Sequence, residues 1–198
     1  MIKLIFQSIR QTLVWTVVCG MLYPVGITLI AQLAFPEQAN GSLVMRDGKL
    51  VGSALLAQQF TGAGYFWPRP SAATYGTGPT GIAGSSGSNL GPTSAQLQTN
   101  VRNNAKSLRD AHKLSPDAPV PADLVYASAS GIDPHISPEA ARFQIARVAV
   151  ARGINADQVR VLVEKFVEPP QWGFLGEARV NVLLLNLALD AAGTKKSG

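Results

Sequence analysis

Twenty-six consecutive residues, Gln11 to Pro36, carry no charged side chain. A helix needs about 20 apolar residues to cross the hydrocarbon core of a bilayer. In lipid every backbone N–H and C=O must find its partner inside the segment, so a lone span has to be helical. The sequence therefore predicts a single N-terminal transmembrane helix over residues 11–36. Residues 1–10 form a short cytoplasmic N-terminus and residues 37–198 an extracytoplasmic domain. A cleaved signal peptide is the main rival, but its apolar core is usually about 7–15 residues long. The core here, Leu13 to Phe35, is longer, and no small-x-small cleavage site follows: Ala34 has Gln32 two places before it, and Ala39 has Glu37.

Within the span, Gly20, Gly26 and the pair Tyr23-Pro24 interrupt a bulky run. Small residues let a second helix approach closely, and the groups freed by a proline are satisfied by neighbours. Gly20, Tyr23, Pro24 and Gly26 are thus candidate packing residues, although Gly and Pro are also simply common in membrane helices. Lys3 and Arg10 precede the span, whereas Arg46 and Lys49 follow only after nine neutral or acidic residues. The balance leans toward a cytoplasmic N-terminus.

From Glu37 onward the chain has 15 Lys plus Arg against 12 Asp plus Glu. That balance is no footprint for nucleic acid. The one cysteine, Cys19, lies in the span, which excludes disulfides, Cys-based metal sites and Cys nucleophiles outside the membrane. A β-hairpin is expected over residues 41–53 with Asp47-Gly48 at its turn, then a short helix over Ala54–Phe60 and an aromatic, proline-rich loop over Tyr65–Ser71. Residues 76–92 hold six glycines in 17 positions, too many for a regular element. Thr93 or Ser94 caps a helix running to about His112, with Leu97, Val101, Ala105 and Leu108 as its apolar stripe. Val120–Val125 reads as a short helical or turn segment. Ser137-Pro138-Glu139 starts a helix that Gly153 stops. Asn155 caps the next, whose stripe is Val159, Leu162, Val163 and Phe166 before Pro169-Pro170 ends it. Val180–Leu189 is apolar almost all round, a buried helix or a core strand, with its length favouring a helix. The sum is a helix-rich α/β or α+β domain.

Chemistry-bearing groups are sparse. His112 falls near a helix C-terminus, where a cation is favoured. Asp133 and His135 sit two apart, an acid–base or metal pair on one view and turn-shaping residues ahead of a helix cap on the other. No His or Cys cluster completes a ligand set, so the turn is favoured, and no catalytic or metal residue is assigned. The Gly-rich loop invites an anion cradle. It has no Gly-Lys-Ser/Thr, however, and no lysine occurs between Lys49 and Lys106, so a structural loop is favoured.

The ordered set of motifs carries a resemblance. It runs through Tyr23-Pro24, Phe35-Pro36, Gln38–Leu43, Gly52–Gln58, Tyr65–Ala72, Gly87–Thr93, Val120–Val125, Ala127–Ser137, Arg179–Val182 and Leu185–Asp190. Taken in order along nearly the whole chain, these pieces resemble the C subunit of the Kdp bacterial high-affinity potassium-transporting ATPase. The resemblance implies a non-catalytic accessory subunit of an ATP-driven potassium importer. It implies a single pass of the bacterial inner membrane with a periplasmic C-terminal domain. The implied partners are a potassium-selective channel-like subunit, a P-type ATPase subunit and membrane lipid, with no nucleic acid. ATP and potassium are handled by the complex, and no cofactor is assigned to this chain itself. In the family the subunit is described as a catalytic chaperone that raises the ATPase subunit's affinity for ATP. A Ser-Gly-Gly-Ser-Asn type loop has been likened to a nucleotide signature, which maps nucleotide binding onto Ser85, Ser86, Gly87, Ser88 and Asn89. Ser86 stands where the family usually has glycine, and Ser94-Ala95 where Asn-Pro is usual. The departure at Ser86 counts against direct nucleotide contact. An extracytoplasmic domain also does not meet cytoplasmic ATP, so any chaperone effect acts through the assembled complex. The chain lacks an Asp-Lys-Thr-Gly-Thr phosphorylation motif, a Walker loop and a filter-like sequence, so it is neither the ATPase nor the pore. The alternatives from other classes are a membrane-anchored exported hydrolase using Asp133 and His135, and a solute-binding module with the Gly-rich loop as lid.

Overall fold

The computed structural model describes residues 1–72 and 84–194. The chain divides into two compact units, Met1–Ser53 and Ala54–Gly198.

The first unit opens with α1 (Ile2–Val17), a π turn (Val18–Leu22) and α2 (Tyr23–Ala34), which run on as one apolar helix of 33 residues. It begins well before the uncharged run does. At 1.5 Å per residue it is about 50 Å long, more than a bilayer core of about 30 Å needs. The π turn has a cause in the sequence. Pro24 has no N–H to give the carbonyl four residues back, and its ring crowds that carbonyl. Just ahead of it the helix widens, and the Tyr23 N–H donates to the Val18 carbonyl, five residues back. Thr28 Oγ1 donates to the Pro24 carbonyl at 2.8 Å. Phe35 leaves the helical region (φ −139°, ψ 58°) because Pro36 follows it. A single turn, α3 (Pro36–Ala39), precedes a hairpin of β1 (Leu43–Arg46) and β2 (Lys49–Ser53). Its two-residue turn places Asp47 at φ 50° and Gly48 at φ 73°, both on the positive side that a tight hairpin requires.

The second unit is built round α5 (Pro138–Arg152). It packs against α4 (Ala95–His112) and α6 (Ala156–Lys165), while α7 (Val182–Thr194) packs against α6. A three-stranded antiparallel sheet in the order β3 (His135–Ile136), β5 (Arg179–Asn181), β4 (Val167–Glu168) lies beside α5 and α7. The caps are the expected ones. Ser94 and Ser137 accept from the N–H three residues on, Asn155 from Asp157, and Gly153 ends α5 at φ 62°. Ala105 and Leu108 are buried from the stripe of α4, and Val159 and Val163 from that of α6. These side chains join Phe66, Ile145, Val148, Leu185 and Leu189 in one core.

Two expectations are corrected. Residues 54–60 form turns and irregular chain, not a helix. Long-range bonds replace helical ones there: Ala57 N–H donates to the Ile132 carbonyl at 2.9 Å, and Asn181 Nδ2 donates to the Ala54 carbonyl at 2.8 Å. The apolar run at 180–189 is strand and helix in succession. Asn181 makes the switch, since its Oδ1 accepts the Leu184 N–H at 3.1 Å and so caps α7. Of the Gly-rich stretch, residues 84–92 have no helix or strand, while residues 76–83 lie outside the described residues.

Candidate functional site

In the apolar helix, a Cβ built on Gly20 or Gly26 meets nothing within 4 Å. Tyr23 is exposed, and no residue of the whole helix is buried. Gly20, Tyr23, Pro24 and Gly26 therefore gather round the π turn with their surfaces free of the chain's own side chains.

Ser85, Ser86, Ser88 and Asn89 are exposed and Gly87 is half-buried. The segment lies against the 128–131 turn. Ser85 Oγ donates to the Ser130 carbonyl at 2.9 Å, and a Cβ on Gly87 would stand 2.5 Å from the Ala129 carbonyl oxygen. Gly87 is thus needed for close backbone approach. The turn itself is held by Ser128 and Ser130, whose hydroxyls accept the N–H groups of Gly131 and Ile132.

Asp133 and His135 border a cleft of about 350 Å³ with Arg69, Ser137, Glu177 and Arg179. Asp133 Oδ2 accepts from Arg69 Nη1 at 3.1 Å, and Oδ1 accepts the His135 N–H at 3.0 Å. His135 Nδ1 stands 3.6 Å from Oδ1, beyond a good hydrogen bond. The His135 side chain and backbone N–H, with the Arg69 cation, hold the Asp133 carboxyl below its usual range against the effect of burial. Ser137 is committed to capping α5, its own N–H donating to Asp123 Oδ2 at 2.7 Å. The group shapes the entry to α5 and aligns no nucleophile with a base. Among the described residues no three His, Cys, Asp or Glu side chains gather as a metal site.

The densest polar cluster is one the sequence did not single out. Segment 62–67 is gripped by side chains of α5 and α7. Asn186 exchanges two hydrogen bonds with the Phe66 backbone, at 2.8 and 2.9 Å. Gln144 does the same for Trp67, at 2.7 and 3.1 Å. The buried Arg147 guanidinium donates to the Ala63 and Tyr65 carbonyls and to Gln144 Oε1, and it lies 3.9 Å over the Trp67 ring. Burial pushes its pKa down to about 10, so it stays charged near neutrality. Arg152 holds the Gly64 carbonyl and Asp190.

His112 corrects another expectation. Arg147 Nε donates to its Nε2 at 3.2 Å, so that nitrogen carries no proton. Burial, then the charge of Arg147, lowers the pKa to about 4. The helix end favours a cation, but burial, with the guanidinium beside it, prevails.

A family model described as K+-transporting ATPase, c chain, matches residues 5–191. The chain belongs to the KdpC family. Three curated relatives, each named potassium-transporting ATPase KdpC subunit, agree. The Methylococcus capsulatus protein is 51% identical over 184 residues, covering 93% of this chain and 95% of its own. The Myxococcus xanthus protein is 54% identical over 193 residues, covering 96% and 89%. The protein of Rhodopseudomonas palustris strain BisB5 is 48% identical over 204 residues, covering 98% and 100%.

A KdpC-family chain is a subunit of a potassium-transporting ATPase complex. The match runs through both units, so the apolar helix belongs to the family's pattern as fully as the domain does. Gln144, Arg147 and Asn186 had one signal in the sequence: each is polar on a helix whose neighbouring positions are apolar. What pattern alone could not supply was their common target, the backbone of residues 63–67.

Proposed function

We propose that this KdpC-family chain is the non-catalytic accessory subunit of an ATP-driven potassium importer. It holds a potassium-selective channel-like subunit and a P-type ATPase subunit in one assembly at the bacterial inner membrane. Its helix crosses that membrane once, with the N-terminus cytoplasmic and the domain periplasmic. The observation that carries the reading is the apolar helix of 33 residues, none of it buried within the chain. A lone span has no bundle of its own. In lipid, association rests on close packing rather than on hydrophobic drive, and small residues make the close approach. Gly20 and Gly26 offer that approach, with open space above each.

The 85–89 loop serves the domain's architecture in this reading and is not a nucleotide cradle. Its Ser85 and Gly87 are engaged with the 129–130 backbone, and no lysine lies nearby to neutralise a phosphate. Any gain in ATP affinity of the ATPase subunit is then transmitted through the assembly.

The test is Gly20→Leu and Gly26→Leu in the full chain, expressed with its sister chains. Each leucine fits the isolated helix without a clash, so an effect reports a neighbour. Recovery of sister chains after detergent extraction should drop several-fold, with the domain's melting unchanged. If both variants retain the sister chains as well as the parent does, the helix is only a tether.

A further inference from the structure

Ten residues, 169–178, join β4 to β5, and the first eight, Pro169–Gly176, carry no charge. Their tip is apolar and in water: Trp172 is 84% exposed and Phe174 74%, with Leu175 beside them. Yet the tip is built rather than slack. Gln171 and Leu175 exchange N–H···O bonds, both at 2.9 Å. Gly173 N–H donates to the Pro170 carbonyl at 3.0 Å, and Phe174 N–H to the Gln171 carbonyl at 3.3 Å. The turn requires φ 53° at Trp172 and φ 82° at Gly173. A bulky residue in that region is strained and persists only where the surroundings impose it. The outcome is two rings fixed 6.5 Å apart at 37°.

Three features say what such a tip meets. First, four backbone donors are satisfied internally and two prolines have none, so the tip can leave water without stranding them. Second, its geometry is fixed beforehand. Rigid Trp anchors are the residues that dominate protein–protein contacts, and a bilayer interface does not require one ring orientation. Third, the charges at its base are Glu168, Glu177 and Arg179, a net of −1. Arg179 pairs with Glu168 at 2.9 Å, leaving Glu177 as the exposed surplus. Anionic lipid attracts basic segments, not an acidic base such as this.

We propose that the 170–176 tip is a docking knob. It seats Trp172 and Phe174 in an apolar pocket, rimmed by a basic side chain that faces Glu177, on the extracytoplasmic face of a sister subunit of the ATPase. The proposal rests on the accessory-subunit reading and adds a second contact, independent of the membrane helix.

The test places a single reporter thiol beside the rings, Gln171→Cys in a Cys19→Ser background, with Val161→Cys on the exposed side of α6 as reference. Gln171 makes its turn contacts through the backbone, so the knob is kept. Labelling by a membrane-impermeant maleimide is compared in two preparations: the full chain alone in liposomes of mixed neutral and anionic lipid, and the co-purified complex. The expected result is rapid labelling in liposomes and at least tenfold slower labelling in the complex, relative to the reference site. Equal rates would overturn the knob, and so would protection already present in liposomes, which would give the tip to lipid. Failure of the sister chains to co-purify with the Cys19→Ser chain would defeat the accessory-subunit reading itself, and the knob with it. Co-purification with an open thiol would defeat the knob alone. Trp172→Ser combined with Phe174→Ser should also cut retention of sister chains about tenfold without moving the domain's melting. Unchanged retention counts against the proposal.

Discussion

Asn186 and Gln144 each do for one loop residue what a neighbouring strand would do. A side-chain amide has the donor and acceptor of a peptide group, so it pairs with both backbone groups of Phe66 or Trp67. Removing such a partner leaves two buried backbone groups unmet, at about 1–3 kcal/mol each. Asn186→Leu, of similar bulk, should therefore lower the melting temperature by about 10 °C, read by circular dichroism. A shift under a degree or two would mean that water or a repacked loop replaces the amide. His112 gives the pH prediction at the same scale. Its folded pKa of about 4 lies below the unfolded 6.5, so the unfolded chain binds the extra proton first. Its contribution is intact above pH 6.5 and declines as pH falls from 6.5 toward 4. His112→Gln keeps an acceptor for Arg147 without titrating, and should flatten the melting temperature against pH over that window. A slope identical to the parent's would assign the loss to other groups. The sequence placed His112 at a helix end that favours a cation; the opposite outcome comes from burial and from Arg147, 35 positions away, and only folding supplies either.

At the scale of elements, capping and periodicity were legible and context was not. Ser94, Ser137, Gly153 and Asn155 bound their helices as local chemistry requires. The Ala54–Phe60 stretch looked helical by composition. It is held open by bonds to residues 132 and 181, which a local window does not contain. The 85–89 loop separates by residue. Ser86 is exposed, so Ser86→Ala should leave transport and the ATP affinity of the assembled pump close to the parent's. A large loss of ATP affinity would restore a nucleotide role to the loop. Gly87→Ala forces a methyl against the Ala129 carbonyl, and overpacking of that kind costs about 1–3 kcal/mol. It should lower the domain's melting temperature while Ser86→Ala leaves it unchanged.

At the scale of the whole molecule, one apolar helix and one helix-rich domain make an anchored subunit of a larger assembly. Lys3 and Arg10 ahead of the span argue for a cytoplasmic N-terminus. Protease added to intact spheroplasts should then digest the domain after residue 53, while a tag at the N-terminus survives. Full protection of the domain would reverse the orientation.

The sequence by itself determined an uncharged run long enough to cross a membrane, the hairpin turn and the capping residues of α4, α5 and α6. Each rests on interactions within a few residues: an uncharged run in lipid, a pair of positive φ angles, a hydroxyl three residues from an N–H. It also determined the family, because the motifs lie in a fixed order along the chain. Only the tertiary structure decided how segment 62–67 is held, why His112 is neutral, why Gly87 lacks a side chain and where Trp172 and Phe174 stand. Those outcomes depend on groups dozens of residues apart. Their hydrogen bonds and burial exist only once the chain has closed round α5.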